Sequence, residues 1–144
     1  MRAGTENVAG IVGMAVALRR NLDALATTRA RLLALEARLL AGLGDSGVAF
    51  RHNATEVERL PGVLSLAFPA CDGEAILHRM DLLGVSISTG SACNSRRTEI
   101  SHVLRAIRLP VALAKGTVRI SLGRSNTEDD VDAIVQGLVR VVGS

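Results

Sequence analysis

The sequence contains almost no aromatic residues, and it is poor in lysine and cysteine. Its 144 residues include two Phe, no Tyr, no Trp and a single lysine, Lys115. The core must therefore be built from aliphatic side chains. The two cysteines, Cys71 and Cys93, are too few and too far apart for a zinc knuckle or a Cys-x-x-Cys redox pair. We expect both thiols to be reduced in a cytoplasmic setting.

Long hydrophobic runs are also missing. No stretch approaches the ~18 uninterrupted apolar residues of a membrane helix, and the residues after Met1 lack the apolar segment of a signal peptide. A net charge of +3 raises the possibility of a nucleic-acid partner. The arginines are dispersed, however, and there are no Tyr or Trp rings to stack on bases. We therefore expect no membrane and no direct nucleic-acid partner.

What the sequence does contain is typical of one compact domain, with 48% hydrophobic and 22% charged residues. Helical periodicity over 4–44 predicts one bent helix or two, with Asn7 as the cap and the bend near 26–28. Three glycines are expected to end this helix: Gly42, Gly44 and Gly47. The charged residues between its apolar positions, Glu36 and Arg38 among them, are interpreted as a solvated face.

The remaining pattern alternates short strands and helices. Strands are predicted at 48–52, 63–68, 85–88 and 117–122, with a turn at 60–62. Helices are predicted at 73–83 after Asp72, at 101–107, and from Thr127 to about 142. This order predicts an α+β fold, a small sheet with helices packed on one face, preceded by a long helix.

Cys93 is the most suggestive position for chemistry. It lies in a loop of small polar residues after a predicted strand, and Arg96 and Arg97 nearby favour the reactive thiolate. A free cysteine is equally often a small buried hydrophobe, so the residue pattern leaves both interpretations open. Cys71 has no basic neighbour, and a structural role is preferred for it.

Three other features bear on binding. Arg119 lies in the middle of a predicted strand, where it could extend to solvent or bind a carboxylate in a cleft. Thr5, just ahead of a helix, could contact a phosphate, although a lone Gly-Thr is weak evidence. The histidines have no metal-like spacing, so no metal site is predicted: His52, His78 and His102.

Five segments in order resemble the cysteine desulfurases, enzymes that use pyridoxal phosphate to take sulfur from cysteine. Residues 88–93 (STGSAC) resemble the nucleophile loop of that family. The other matching segments are 2–7 (RAGTEN), 60–65 with 72–74 (LPGVLS and DGE), 101–104 (SHVL), and 118–124 with Thr127 and Glu128 (VRISLGR). Ile100 and Arg108 depart from the family pattern, at positions after the thiol.

The resemblance implies a specific fold and domain organisation. The chain would be one domain, 1–144, corresponding to the C-terminal third of a fold-type-I pyridoxal-phosphate transferase. Residues 1–20 would end the large-domain segment and start the connecting helix, and 21–144 would form the small C-terminal domain.

The resemblance also implies residue roles. Cys93 would be the catalytic nucleophile that carries the persulfide, with a possible transient iron–sulfur contact. Arg119 would bind the substrate carboxylate, and Thr5 the cofactor phosphate across a homodimer interface. The implied partners are L-cysteine and a sulfur acceptor such as an iron–sulfur scaffold protein.

The lysine that holds the cofactor as a Schiff base has no counterpart here, because Lys115 lies in a different segment. The isolated chain is therefore expected to be inactive. Two alternatives remain open at this point: a non-catalytic fragment that accepts persulfide or binds a partner, and a relative of the selenocysteine lyases.

Overall fold

The structure is a computed structural model that describes residues 4–53, 55, 57–89 and 100–143. The described elements, in chain order, are α1 (Val8–Asp23), α2 (Leu25–Asp45), β1 (Arg51–His52), β2 (Val63–Ala67), α3 (Gly73–Asp81), β3 (Ser88–Thr89), α4 (His102–Ala106), α5 (Val111–Lys115), β4 (Thr117–Ser121) and α6 (Glu128–Val142).

The four strands form one antiparallel sheet in the order β1-β2-β4-β3. Its centre is the β2–β4 ladder, which runs from the pair Val63 and Ser121 to the pair Ala67 and Thr117. The turn at 60–62 precedes β2, and Gly62 adopts a positive φ of 89° there. The predicted α+β fold with a small sheet is confirmed.

One face of the sheet is covered by α2, α3 and α6. Side chains alternate between the two faces of a strand, so Leu64 and Leu66 of β2 share a face with Val118 and Ile120 of β4. All four are buried among apolar residues of these three helices, which include Leu39, Ile76, Met80, Val131 and Leu138. The core is therefore aliphatic, apart from Phe68 and the packed ring of Phe50.

Helices α2 and α6 are also joined at their outer edges. Arg38 of α2 donates two hydrogen bonds to the Asp132 carboxylate, at 2.8 and 2.7 Å, and one to Glu128 at 2.9 Å. The bonds from Arg38 lower the pKa of Asp132. Arg38 therefore links two helices through residues 94 positions apart, while its side chain stays exposed, as the interpretation of a solvated face predicts.

The long N-terminal helix differs from the prediction in two ways. Its break falls at Ala24 rather than at 26–28, and α2 continues through Gly42 and Gly44 before it ends at Asp45. Gly42 stays helical where it packs closely on Val135 of α6. Gly47, with a φ of 74°, is the glycine that turns the chain. A tertiary contact thus outweighs the low helix propensity of glycine.

The later elements keep the predicted order with shifted bounds. β1 and β3 are each two residues long, and β3 begins at Ser88 rather than at Val85. The pattern does not predict the short helix α5. α6 begins with the predicted capping box, in which Thr127 and Asp130 bond each other's backbone N–H groups.

The interpretation of Glu36 as part of the solvated face of α2 is wrong. Its side chain is buried, and its carboxylate accepts hydrogen bonds from both terminal nitrogens of Arg59, at 3.1 and 2.6 Å, and from the backbone N–H of Gly62. A buried carboxylate requires such partners. The ion pair fastens α2 to the turn that leads into β2.

Helix α1 buries none of its residues. Its exposed apolar side chains lie on more than one face of the helix: Val8, Ile11, Val12, Met14, Val16, Leu18 and Leu22. In the part of the chain that the structure describes, no helix is long and apolar enough to cross a membrane.

Candidate functional site

The face of the sheet opposite α2, α3 and α6 carries polar side chains at its middle. Arg119 of β4 lies between Ser65 of β2 and Ser88 of β3 in the strand pairing. Directly paired residues of antiparallel strands project from the same face, with Cβ atoms about 5 Å apart. Ser65, Arg119 and Ser88 therefore form one polar row across three strands.

Arg119 is exposed, as the alternation of β4 predicts. Among the residues that the structure describes, no acceptor forms a hydrogen bond or an ion pair with its guanidinium. A guanidinium fork with free donors matches the two oxygens of a carboxylate. The backbone of β4 is bonded on both sides, so the base of this side chain is held by the sheet.

Asn53, which comes directly after β1, extends the row beyond Ser65. Its backbone N–H donates to the Ser65 carbonyl at 2.9 Å, and its Nδ2 donates to the Ser65 Oγ at 3.1 Å. The side chain is buried, and its Oδ1 has no hydrogen-bond partner among the described residues. Sequence reasoning missed Asn53, and the only available signal was a polar residue directly after a short strand.

β3 leads directly into the segment 90–99. At its end, the buried Thr89 donates a hydrogen bond of 2.6 Å to the Glu74 carboxylate of α3. This bond fixes the point where the segment starts. Cys93, with Arg96 and Arg97, lies outside the described residues, so its role stays a prediction.

Thr5 is exposed and lies just before the N-terminus of α1. Asn7 caps that helix by accepting a hydrogen bond of 3.0 Å from the Gly10 N–H. No hydrogen bond joins Thr5 to Arg119, two of the predicted site residues, within the described residues.

The remaining candidates have structural environments. Cys71 is half-buried and packs against the main core, beside Asp72, which caps α3. Lys115 is exposed at the end of α5. His52 is half-buried, and burial together with the positive charge of Arg59 lowers its pKa. Within the described ranges, no group of His, Cys, Asp and Glu is arranged to hold a metal ion.

The chain matches a known protein family over most of its length. The family model described as aminotransferase class-V matches residues 1–134. The chain is 42% identical over 142 residues to a cysteine desulfurase of Gluconacetobacter diazotrophicus, and 40% identical over 142 residues to the cysteine desulfurase NifS of Azotobacter vinelandii. Each match covers 98% of this chain and 35% of the relative.

Solved structures agree with this assignment. A NifS-like protein superposes with a TM-score of 0.82 at 30% identity, covering 99% of this chain and 35% of that chain. A NifS-like protein from Rickettsia africae gives 0.84 at 27% identity, covering 99% and 37%. The chain thus spans about a third of the length of the proteins it resembles. The resemblance found in the sequence is confirmed, and the chain belongs to the aminotransferase class-V family.

Proposed function

We propose that this chain is part of a cysteine desulfurase, which converts L-cysteine to L-alanine and leaves the sulfur as a persulfide on Cys93. One observation carries the proposal. The exposed guanidinium of Arg119, with no acceptor among the described residues, lies beside β3, whose end leads into the segment that contains Cys93. The similarity to cysteine desulfurases over 98% of the chain supports it, and favours it over a non-catalytic module or a selenocysteine lyase.

Arg119 binds the carboxylate of L-cysteine in this proposal. Its guanidinium offers two parallel N–H donors to the two carboxylate oxygens. Because it is on the central strand β4, its backbone is bonded to both β2 and β3. The carboxylate is thereby anchored on a rigid part of the fold, while the thiol is supplied from the adjoining segment.

Cys93 acts as the nucleophile. Its thiolate, favoured by Arg96 and Arg97, attacks the sulfur of the bound cysteine. An S–S bond forms as the bond between the substrate Cβ and its sulfur breaks, and the electron pair of the broken bond stays with Cβ. That carbon takes up a proton, which gives L-alanine.

The proposed cofactor is pyridoxal phosphate, and the residues at the start of α1 fit its phosphate. The Thr5 hydroxyl is exposed, and the helix N-terminus behind it favours negative charge. When bound, pyridoxal phosphate withdraws electrons from the substrate carbon that carries the amino group. Thr5 would hold the phosphate, and we propose that it does so across a homodimer interface.

The proposed partners are inferred from the product. A persulfide is a reactive group that must be passed on, so a sulfur acceptor such as an iron–sulfur scaffold protein completes the cycle in the cytoplasm. Any iron–sulfur contact at Cys93 would be transient, and no resident metal is proposed.

Thiol labelling tests the assignment of the nucleophile. At neutral pH, an alkylating reagent should modify Cys93 at least an order of magnitude faster than the half-buried Cys71. In the complete enzyme, Cys93→Ser should form no persulfide and Cys71→Ser, the matched control, should form it normally. Mass-spectrometric mapping identifies which thiol is labelled and which thiol carries the persulfide. Faster labelling of Cys71, or persulfide formation by Cys93→Ser, would contradict the proposal.

A second test concerns the cofactor. We expect the isolated 144-residue chain to attach no pyridoxal phosphate covalently, because its one lysine, Lys115, lies at the end of α5. Borohydride treatment of the chain with pyridoxal phosphate, followed by peptide mapping, checks this. A stoichiometric reduced adduct on Lys115 would overturn the expectation.

A further inference from the structure

The two serines that flank Arg119 differ in what their hydroxyl protons do. The Ser88 Oγ donates to the Thr89 carbonyl at 3.0 Å, so its proton is already committed. The Ser65 Oγ instead accepts the hydrogen bond from Asn53 Nδ2 at 3.1 Å. No acceptor for the Ser65 proton is found among the described residues. A hydroxyl has one proton to donate, and within the ranges that the structure describes that of Ser65 is not used.

The position of Ser65 brings this proton to the side of Arg119. The two residues are directly paired on β2 and β4, and they project from the same face of the sheet. The Ser65 hydroxyl and the base of the Arg119 side chain therefore lie side by side on that face. A carboxylate has two oxygens and about four lone-pair positions, so it can accept from both groups at once.

Asn53 determines the direction of the Ser65 hydroxyl. Asn53 is 2% exposed, and its backbone N–H is bonded to the Ser65 carbonyl, so the residue is held beside Ser65. While Nδ2 donates to the Ser65 Oγ, one lone pair of that oxygen is occupied. The hydroxyl proton is then turned away from Asn53.

We infer that Ser65 donates a second hydrogen bond to the carboxylate bound by Arg119, and that Asn53 is a positioning residue that orients the Ser65 hydroxyl. The inference rests on the proposed role of Arg119. The sheet face would then recognise a carboxylate by two donors from adjacent strands. Recognition by this pair would discriminate an α-amino acid from the corresponding amide or decarboxylated amine.

Ligand titration of the isotopically labelled chain, followed by NMR of its backbone amides, tests this without any enzymatic activity. L-Alanine is the probe, and L-alaninamide, which lacks the negative charge, is the matched control. L-Alanine should shift the amides of 65 and 119, and L-alaninamide should not. Ser65→Ala should weaken L-alanine binding by about tenfold, a value at the low end for a hydrogen bond to a charged group.

Matched variants separate hydrogen bonding from folding. Ser65→Thr keeps the hydroxyl and should bind nearly as the wild type does. Ser121→Ala, on the same face of β4 two residues from Arg119, should leave binding unchanged. Asn53→Leu should weaken binding by a few-fold in the wild-type background and by nothing more when Ser65 is already Ala, since Asn53 acts through Ser65.

The outcomes distinguish this inference from the proposed function. If Arg119→Ala abolishes L-alanine binding while Ser65→Ala leaves it intact, the inference is wrong and the role of Arg119 stands. If Arg119→Ala binds L-alanine as the wild type does, the proposed carboxylate site itself is wrong. If L-alanine produces no shifts in the wild-type chain, or L-alaninamide produces the same ones, the two-donor carboxylate site is overturned.

Discussion

The two faces of the central sheet are built from the same strands and have opposite properties. On β4, Val118 and Ile120 are buried under the helices, whereas Arg119 and Ser121 project to the open side. From Val118 to Ser121, each step of one residue therefore changes between core and candidate binding surface. The comparison teaches that stability and ligand binding are assigned to alternate residues, so neighbouring substitutions should have separate effects.

The largest expected effect is on the helix-covered face. Leu66→Ala removes a fully buried side chain and leaves a cavity against the helices, which should lower the free energy of unfolding by about 2–5 kcal/mol. Ser121→Ala on the open face should change it by less than about 0.5 kcal/mol. Urea unfolding followed by circular dichroism measures both. Equal losses of unfolding free energy in the two variants would show that the two faces do not differ in their contribution to stability.

A smaller loss of unfolding free energy should result from removal of the buried negative charge of Glu36 in α2. Glu36→Gln keeps the size of the side chain but leaves the Arg59 guanidinium without its counter-charge. Arg59 is partly open to water, so we expect a loss of about 2 kcal/mol, below the ~3–5 kcal/mol of a fully buried pair. Glu58→Gln, an exposed acid of the same loop, is the control. Identical denaturation midpoints for the two variants would show that the Glu36 charge is dispensable.

The cap of α6 should contribute less again. Thr127→Ala removes the side-chain acceptor for the Asp130 N–H and should cost about 1 kcal/mol in chemical denaturation. Thr127→Ser keeps the hydroxyl and should retain most of the stability. A serine variant as unstable as the alanine variant would mean that the hydrogen bond is not the source of the effect.

The smallest expected effect is a pH dependence of the folding stability. It is caused by His52, at the edge of the helix-covered face. His52 pairs with Leu66, and burial and Arg59 lower its pKa below the ordinary 6.5. The unfolded chain therefore binds a proton at a higher pH than the folded chain does. His52 should reduce stability as the pH falls from about 6.5 towards its folded pKa, and it should have no such effect above that range.

Thermal unfolding across this pH range measures the effect. His52→Gln should flatten the pH dependence, and His78→Gln, which replaces an exposed residue of α3, should retain it. If His52→Gln shows the same pH dependence of stability as the wild type, His52 is not its cause.

Local patterns in the sequence predicted the features that depend on near neighbours. The alternation of residues 117–122 placed Arg119 on the face opposite Val118 and Ile120, and the capping residues Asp72 and Thr127 marked helix starts that the structure has. The order of the motifs indicated the family. The strand alternation and the helix caps depend on neighbours within about four residues along the chain, so the sequence displays them directly.

The features that were missed depend on distant partners. Glu36 resembles any other charge on a helix until Arg59, 23 residues later, is brought against it. Asn53 gains its position only through Ser65, 12 residues away. The continuation of α2 through Gly42 is set by a contact with Val135. None of these pairings leaves a periodic signal in the sequence.

The β2–β4 ladder has a consequence for how the chain folds during translation. Val63 pairs with Ser121, and the α6 residues that cover β2 come later still. During translation, Leu64 and Leu66 can pack on α2 and α3, but they lack β4 and the cover of α6 until the ribosome has added these elements. A chain that ends before α6 would expose apolar side chains on the helix-covered face of the sheet. Such a chain would be a substrate for chaperones and proteases rather than a smaller folded domain.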